Sequence, residues 1–170
     1  MILTEFGETL DADGDYAQLA AELRARKYPG EFLLVARLDP DEVEAAALAG
    51  FMPMSAKLRP EGNGITVFTP KLHRVRCIAS PAGLRPTKTS RRQSGLYRIS
   101  MNLAFDPVLA GCVETHGDDW LTPELADCFR TLAAERQGRA VKFVSAELWN
   151  GNELVRSEEH TSELQSPNTI

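Results

Sequence analysis

Nine residues, Thr115–Pro123 (THGDDWLTP), set His116, Asp118, Asp119 and Trp120 directly before a helix start. An imidazole beside two carboxylates is the raw material of acid–base chemistry, and an indole on a loop can stack on a flat ligand. The competing reading is a polar approach to a capped helix, with Trp120 as a packing anchor. Closeness in sequence does not make catalytic geometry, so both readings stay open. The chain has no GxSxG, HExxH or Walker loop. The three cysteines, Cys77, Cys112 and Cys128, form no CxxC pair and are odd in number. They read as reduced thiols of a cytosolic protein, without a metal site. LAGFMPMS sets Met52 and Met54 close together, either as a flexible Met-lined pocket or as core.

Charge is unevenly distributed. The formal net charge is −5, yet Lys57–Arg98 holds ten basic residues against Glu61 alone. Among them are Arg74, Arg76, Arg85, Lys88, Arg91 and Arg92. A basic block in an acidic chain suggests a polyanionic partner such as nucleic acid or phosphate, the alternative being a solvated loop. No apolar run approaches the roughly 20 residues of a membrane span. The N-terminus lacks the basic and apolar regions of a secretory signal.

Several elements must position these residues. Tyr16–Arg26 has helical composition and is ended by Tyr28-Pro29-Gly30. Phe32–Ala36 is a short apolar run suited to a buried strand. Asp39 is a good N-cap, Pro40 suits the first helical position, and Glu42 three residues on completes a capping-box pattern, with Gly50 as the stop. Ile65–Phe68 reads as a strand, and residues 70–78 as another with alternating faces. Ser80–Ser94 is loop-like. A helix is expected over Asn102–Val113, capped by Asn102 or Asp106, although Pro107 is awkward if Asn102 is the cap. A second runs from Thr122 to about Gln137, with Leu125, Cys128, Phe129 and Leu132 as its apolar stripe. Val141–Trp149 reads as a strand, and Asn150-Gly151 is a strong hairpin signal.

Taken in order, these pieces resemble the bacterial leucyl/phenylalanyl-tRNA–protein transferases. FLLVARLDPDEVEAAALAGFMPMS is similar to the family's N-terminal stretch, and the segment from Tyr97 to Val155 is similar to its central block. That block holds an Asn-x-Ala-Phe helix start, a Gly-Cys pair, a Trp-Leu-Thr helix start and a Ser-x-Glu-x-Trp strand. The resemblance implies an α+β chain: a small N-terminal α/β domain over residues 1–70, then the first part of an acetyltransferase-like (GNAT-like) domain over 71–155. It implies transfer of Leu or Phe from aminoacyl-tRNA to proteins that begin with Arg or Lys, marking them for degradation, by a cytosolic monomer without a cofactor. On that basis Trp120, Met54 and Met52 line the donor site. The last two stand where the family carries Trp and Phe. Arg74, Arg76, Arg85, Lys88, Arg91 and Arg92 would face the tRNA.

After Val155 the resemblance stops. RSEEHTSELQS reads as the translation of a common sequencing adapter, so 156–170 is expected to be a non-native, disordered tail. Catalytic residues are expected beyond Val155, leaving this chain an inactive fragment. Two rival classes are an acyl-coenzyme A-dependent enzyme of the same fold, for which no glycine-rich pyrophosphate loop is visible, and a non-catalytic RNA-binding module.

Overall fold

The structure is a computed structural model, and it describes residues 2–4, 7, 9–10, 15–58, 64–73, 75, 80–135 and 138–157. In chain order the elements are β1 (Ile2–Thr4), β2 (Thr9–Leu10), α1 (Tyr16–Ala25), β3 (Leu33–Val35), α2 (Pro40–Leu48), β4 (Ser55–Leu58), β5 (Ile65–Phe68), α3 (Lys88–Gln93), β6 (Arg98–Met101), α4 (Phe105–His116), α5 (Pro123–Ala134), β7 (Ala146–Asn150) and β8 (Glu153–Ser157). The mix of helices and antiparallel sheets is an α+β arrangement. Two compact units form, one from Met1–Arg76 with Val113–Phe143, the other from Cys77–Cys112 with Val144–Ile170. Residues 113–143, grouped with 71–155 in the sequence reading, thus join the first unit.

In the first unit a five-stranded sheet runs in the order β2-β1-β3-β5-β4. Every pairing in it is antiparallel, so the α/β character expected of residues 1–70 takes the form of helices on an antiparallel sheet. The helices that follow β2 and β3 each carry the chain past one intervening strand, to β3 beyond β1 and to β4 beyond β5. Leu33, Val43, Phe68, Leu125 and Leu132 are completely buried and bring sheet, α2 and α5 into one core. Asp39 caps α2 by accepting from the Glu42 N–H at 3.0 Å. The capping box is not closed, because the Glu42 carboxylate is taken by the buried Tyr16 hydroxyl at 2.6 Å. Burial first, then the Glu42 carboxylate, raises the Tyr16 phenol far above its ordinary range. Gly50, at φ 88°, lets α2 end with the Phe51 N–H on the Ala46 carbonyl. Arg139 ties α5 to α2 by holding Glu135, Asp41 and Glu44 at 2.6, 2.5 and 3.0 Å.

In the second unit, β6-β7-β8 form an antiparallel sheet. β6 has no counterpart among the elements expected from the sequence. Residues 141–145 precede the strand instead of belonging to it. The hairpin turn is Gly151-Asn152, one residue later than expected, since Asn150 pairs with Glu153 and only Gly151 needs positive φ. β8 continues through Arg156 and Ser157, paired with Leu148 and Glu147, so the strand overruns the expected tail boundary. Ladder hydrogen bonds use the backbone and need no apolar side chain. The rest of that tail, 158–170, lies outside the described residues.

Two further expectations change. The strand over 70–78 is not seen at Leu72, His73 or Val75. Lys71 alone bridges Phe32 and Met52, and most of the remaining stretch lies outside the described residues. Ser80–Ser94 contains α3 and a 3₁₀ turn at Pro81–Gly83, because Thr87 caps the Ser90 N–H at 3.1 Å. Pro107 falls in the first turn of α4, where its missing N–H costs nothing. Asn102 sits before the helix at φ 58° and bonds Ser145 through both backbone and side chain.

Candidate functional site

Ser55 holds the approach to α5 against the start of β4. Its N–H donates to the Trp120 carbonyl at 2.8 Å, and its hydroxyl lies 3.0 Å from that oxygen and 3.0 Å from Thr122 Oγ1. The Thr122 N–H donates back to Ser55 Oγ at 3.1 Å. Both Ser55 and Thr122 are buried, so this small polar clasp is shielded from water. It fixes the backbone of Trp120 beside β4, and Met54 is the residue that leads into the clasp. The Met54 carbonyl accepts from Thr69, while Met52 exchanges two backbone hydrogen bonds with Lys71. Antiparallel pairing thus brings Met52, Met54 and Trp120, 68 positions apart at the extremes, onto one part of the first unit.

The two tryptophans differ in what they are committed to. Trp149 donates from Nε1 to Ser100 Oγ at 2.7 Å, and the Arg98 guanidinium lies 5.4 Å from its ring centre. Trp120 is half-buried, and its indole makes no hydrogen bond and no ring contact among the described residues. Met52 is 38% exposed. The Trp120 ring is thus held by packing and not by a hydrogen bond or ring partner among the described residues.

Of the acidic residues beside Trp120 in sequence, Asp118 is committed to a lysine. Asp118 is held by Lys57 at 2.9 Å, and that ammonium keeps its carboxyl below the usual range while Lys57 itself is raised. Among the described residues, no group of three or more His, Cys, Asp and Glu is placed to hold a metal ion. Cys112 and Cys128 are buried and in no disulfide. Burial pushes Cys128 up to about 11, which keeps it protonated and a poor nucleophile.

In the second unit the basic candidates gather on α3. Lys88, Arg91 and Arg92 are spaced i, i+3, i+4 and share one helix face. Arg85 precedes them. All four are exposed, and none holds a carboxylate among the described residues. Arg74 and Arg76 lie outside the described residues.

Sequence reasoning missed Ser55 and gave Glu147 no role of its own. Glu147 is 1% exposed. Its Oε1 accepts from Ser145 Oγ at 2.5 Å and from the Ala104 N–H at 3.3 Å, and its Oε2 accepts from Ser100. Burial raises the carboxyl's pKa, but the Ser100 and Ser145 hydroxyls and the Ala104 and Leu103 N–H groups outweigh it and hold the group ionised. The carboxylate therefore pins β6 and the start of α4 to β7. The Ser-x-Glu-x-Trp spacing was the available clue, since alternate residues of a strand share a face.

Over 85 residues the chain is 34% identical to a leucyl/phenylalanyl-tRNA–protein transferase of Deinococcus radiodurans. The similarity is to a transferase. It covers 46% of this chain and 38% of that protein, so the chain spans well under half of the relative it matches. No protein-family model matches the chain. Among the described residues, no helix is long and apolar enough to cross a membrane.

Proposed function

We propose that this protein takes part in transferring leucine or phenylalanine from aminoacyl-tRNA to the amino terminus of proteins that begin with Arg or Lys, marking them for degradation. The observation that carries the reading is the Ser55 clasp, which fixes the Trp120 backbone at the residue that follows Met54, in a chain partly similar to a transferase of that name. Trp120, with Met54 and Met52 around it, stacks on the terminal base of the donor. The exposed cations of α3, together with Arg85, Arg74 and Arg76, meet its phosphates. Residues 71–155, on this reading, form the first part of an acetyltransferase-like domain. The protein acts in the cytosol as a monomer and needs no cofactor.

Such chemistry asks little of acid–base groups. An aminoacyl ester is already activated, and an α-amino group with a pKa near 7.7–8.0 is partly neutral at pH 7. Aligning amine and ester and stabilising the tetrahedral oxyanion supply most of the rate. That agrees with a site in which Asp118 is spent on Lys57. The groups that hold the acceptor amine are placed, on this reading, outside the described residues.

A second reading, a non-catalytic RNA-binding module, is favoured by the uncompensated basic face of α3. One experiment separates the two: filter retention of leucyl-tRNA against the same tRNA uncharged. A donor site prefers the charged form severalfold and loses that preference in Trp120→Ala. Equal retention of both forms, unchanged by the substitution, would favour the module.

A further inference from the structure

A cleft of about 290 Å³ opens in the first unit where α1 ends, lined by Leu23, Arg24, Lys27, Tyr28, Gly30, Leu72 and His73. None of these residues belongs to the donor site or to the basic face of α3. The way α1 stops creates the space. The Lys27 N–H bonds the Arg24 carbonyl and the Tyr28 N–H bonds the Leu23 carbonyl, which turns the chain sharply away. That turn needs Lys27 at φ 51°, a conformation usually left to glycine. Tyr28 folds back toward Leu23, with its hydroxyl 3.4 Å from the Phe32 carbonyl, so its ring is anchored at one edge. Gly30 is buried and adds no side chain to fill the cleft, and Leu72 supplies the far apolar wall.

Charge gives the cleft its specificity. Elsewhere in this unit most of the described cations hold carboxylates: Arg26 with Glu22, Arg37 with Asp39, Lys57 with Asp118, Lys71 with Glu31, Arg130 with Asp127, and Arg139 with three partners. Arg24, Lys27 and Lys142 are the exceptions among the described residues, and the first two stand together on this rim. Among the described residues no acidic residue lines the cleft, and the acids nearest in sequence, Glu22 and Glu31, are engaged with Arg26 and Lys71. Two uncompensated cations over an apolar, aromatic-walled space fit a flat ring that carries a strongly anionic group. A single aliphatic carboxylate would use neither the second cation nor the tyrosine face.

We infer that this cleft is a nucleotide site: a base lies against Tyr28 between Leu23 and Leu72, and its phosphate sits on Arg24 and Lys27. The site stands on its own lining and does not depend on the aminoacyl-transfer reading. Its nucleotide comes either free or as an unpaired residue of an RNA.

Calorimetric titration of the 170-residue chain with AMP, adenosine, inorganic phosphate and decanoate tests this. AMP binds more tightly than adenosine or phosphate, and decanoate does not bind. Arg24→Glu with Lys27→Glu weakens AMP at least tenfold while leaving adenosine unchanged, and Tyr28→Leu weakens both. Circular dichroism of each variant shows a native spectrum. Lys27→Gly, which suits the left-handed turn, keeps the fold yet weakens AMP. Repeating the AMP titration and the charge reversal in a Trp120→Ala background removes any nucleotide held at the donor site; AMP binding that persists there and is lost on charge reversal belongs to the cleft, so failure of the donor-site reading would not touch this one. Competition identifies the source: displacement of AMP by tRNA marks an RNA nucleotide, and its retention marks a free one. Decanoate binding in place of AMP, no AMP binding, or AMP binding unaffected by the charge reversal would overturn the inference.

Discussion

At Trp120 and Glu147, two half-hidden chemistries have opposite purposes. Trp120 has its backbone fixed, while its ring makes no hydrogen bond or ring contact among the described residues. Replacing it with Ala should cost about 1–3 kcal/mol in leucyl-tRNA binding if the ring stacks on a base, with little change in melting temperature. Glu147 is the reverse, since its carboxylate is wholly taken up by internal donors. Glu147→Ala strands buried hydroxyl and N–H donors, and should destabilise the second unit by about 1–3 kcal/mol in chemical denaturation. Its folded pKa lies below the unfolded value of about 4.3, so its contribution is present above that pH and lost as pH falls through the folded value. The acid limb of stability below about pH 4 should therefore be shallower in Glu147→Gln than in the wild type. Equal acid sensitivity in the two proteins would remove Glu147 from that role.

Helix ends show what local chemistry can and cannot announce. Both ends of α2 were legible, because Asp39 and Pro40 act at its start and Gly50 at its stop. Asp39→Ala should lower stability by about 1 kcal/mol. The end of α1 was less legible, because a lysine occupies the left-handed position where glycine is expected. Lys27→Gly should relieve roughly 1 kcal/mol of backbone strain, partly offset by the greater freedom of the unfolded chain. A melting temperature that falls in Lys27→Gly would contradict the strain argument. β6 was hidden for a different reason. Ile99 and Met101 are exposed, so their alternation with Arg98 and Ser100 marks no buried face in the sequence. The Ser55 clasp joins residues 65 positions or more apart, and no local pattern can reveal such a pairing. Met52, Met54 and Trp120, by contrast, could be set together only through the resemblance, and strand pairing with the clasp explains how they come to share a region.

For the molecule as a whole, charge separation is the dominant long-range feature. A chain of net charge −5 repels RNA on average, so binding must run through local cationic surface. Binding of tRNA should therefore weaken steeply with salt. Arg91→Ala with Arg92→Ala should make the log–log slope shallower by about one for each phosphate that is no longer neutralised. The most direct measurement is equilibrium binding of leucyl-tRNA to the wild-type chain, Trp120→Ala and the Arg91/Arg92 double variant across a range of salt. The account predicts that Trp120→Ala weakens binding about equally at every salt concentration, whereas the double variant weakens it mainly at low salt. Leucyl-tRNA that fails to bind the wild type, or binds all three proteins alike, would contradict it.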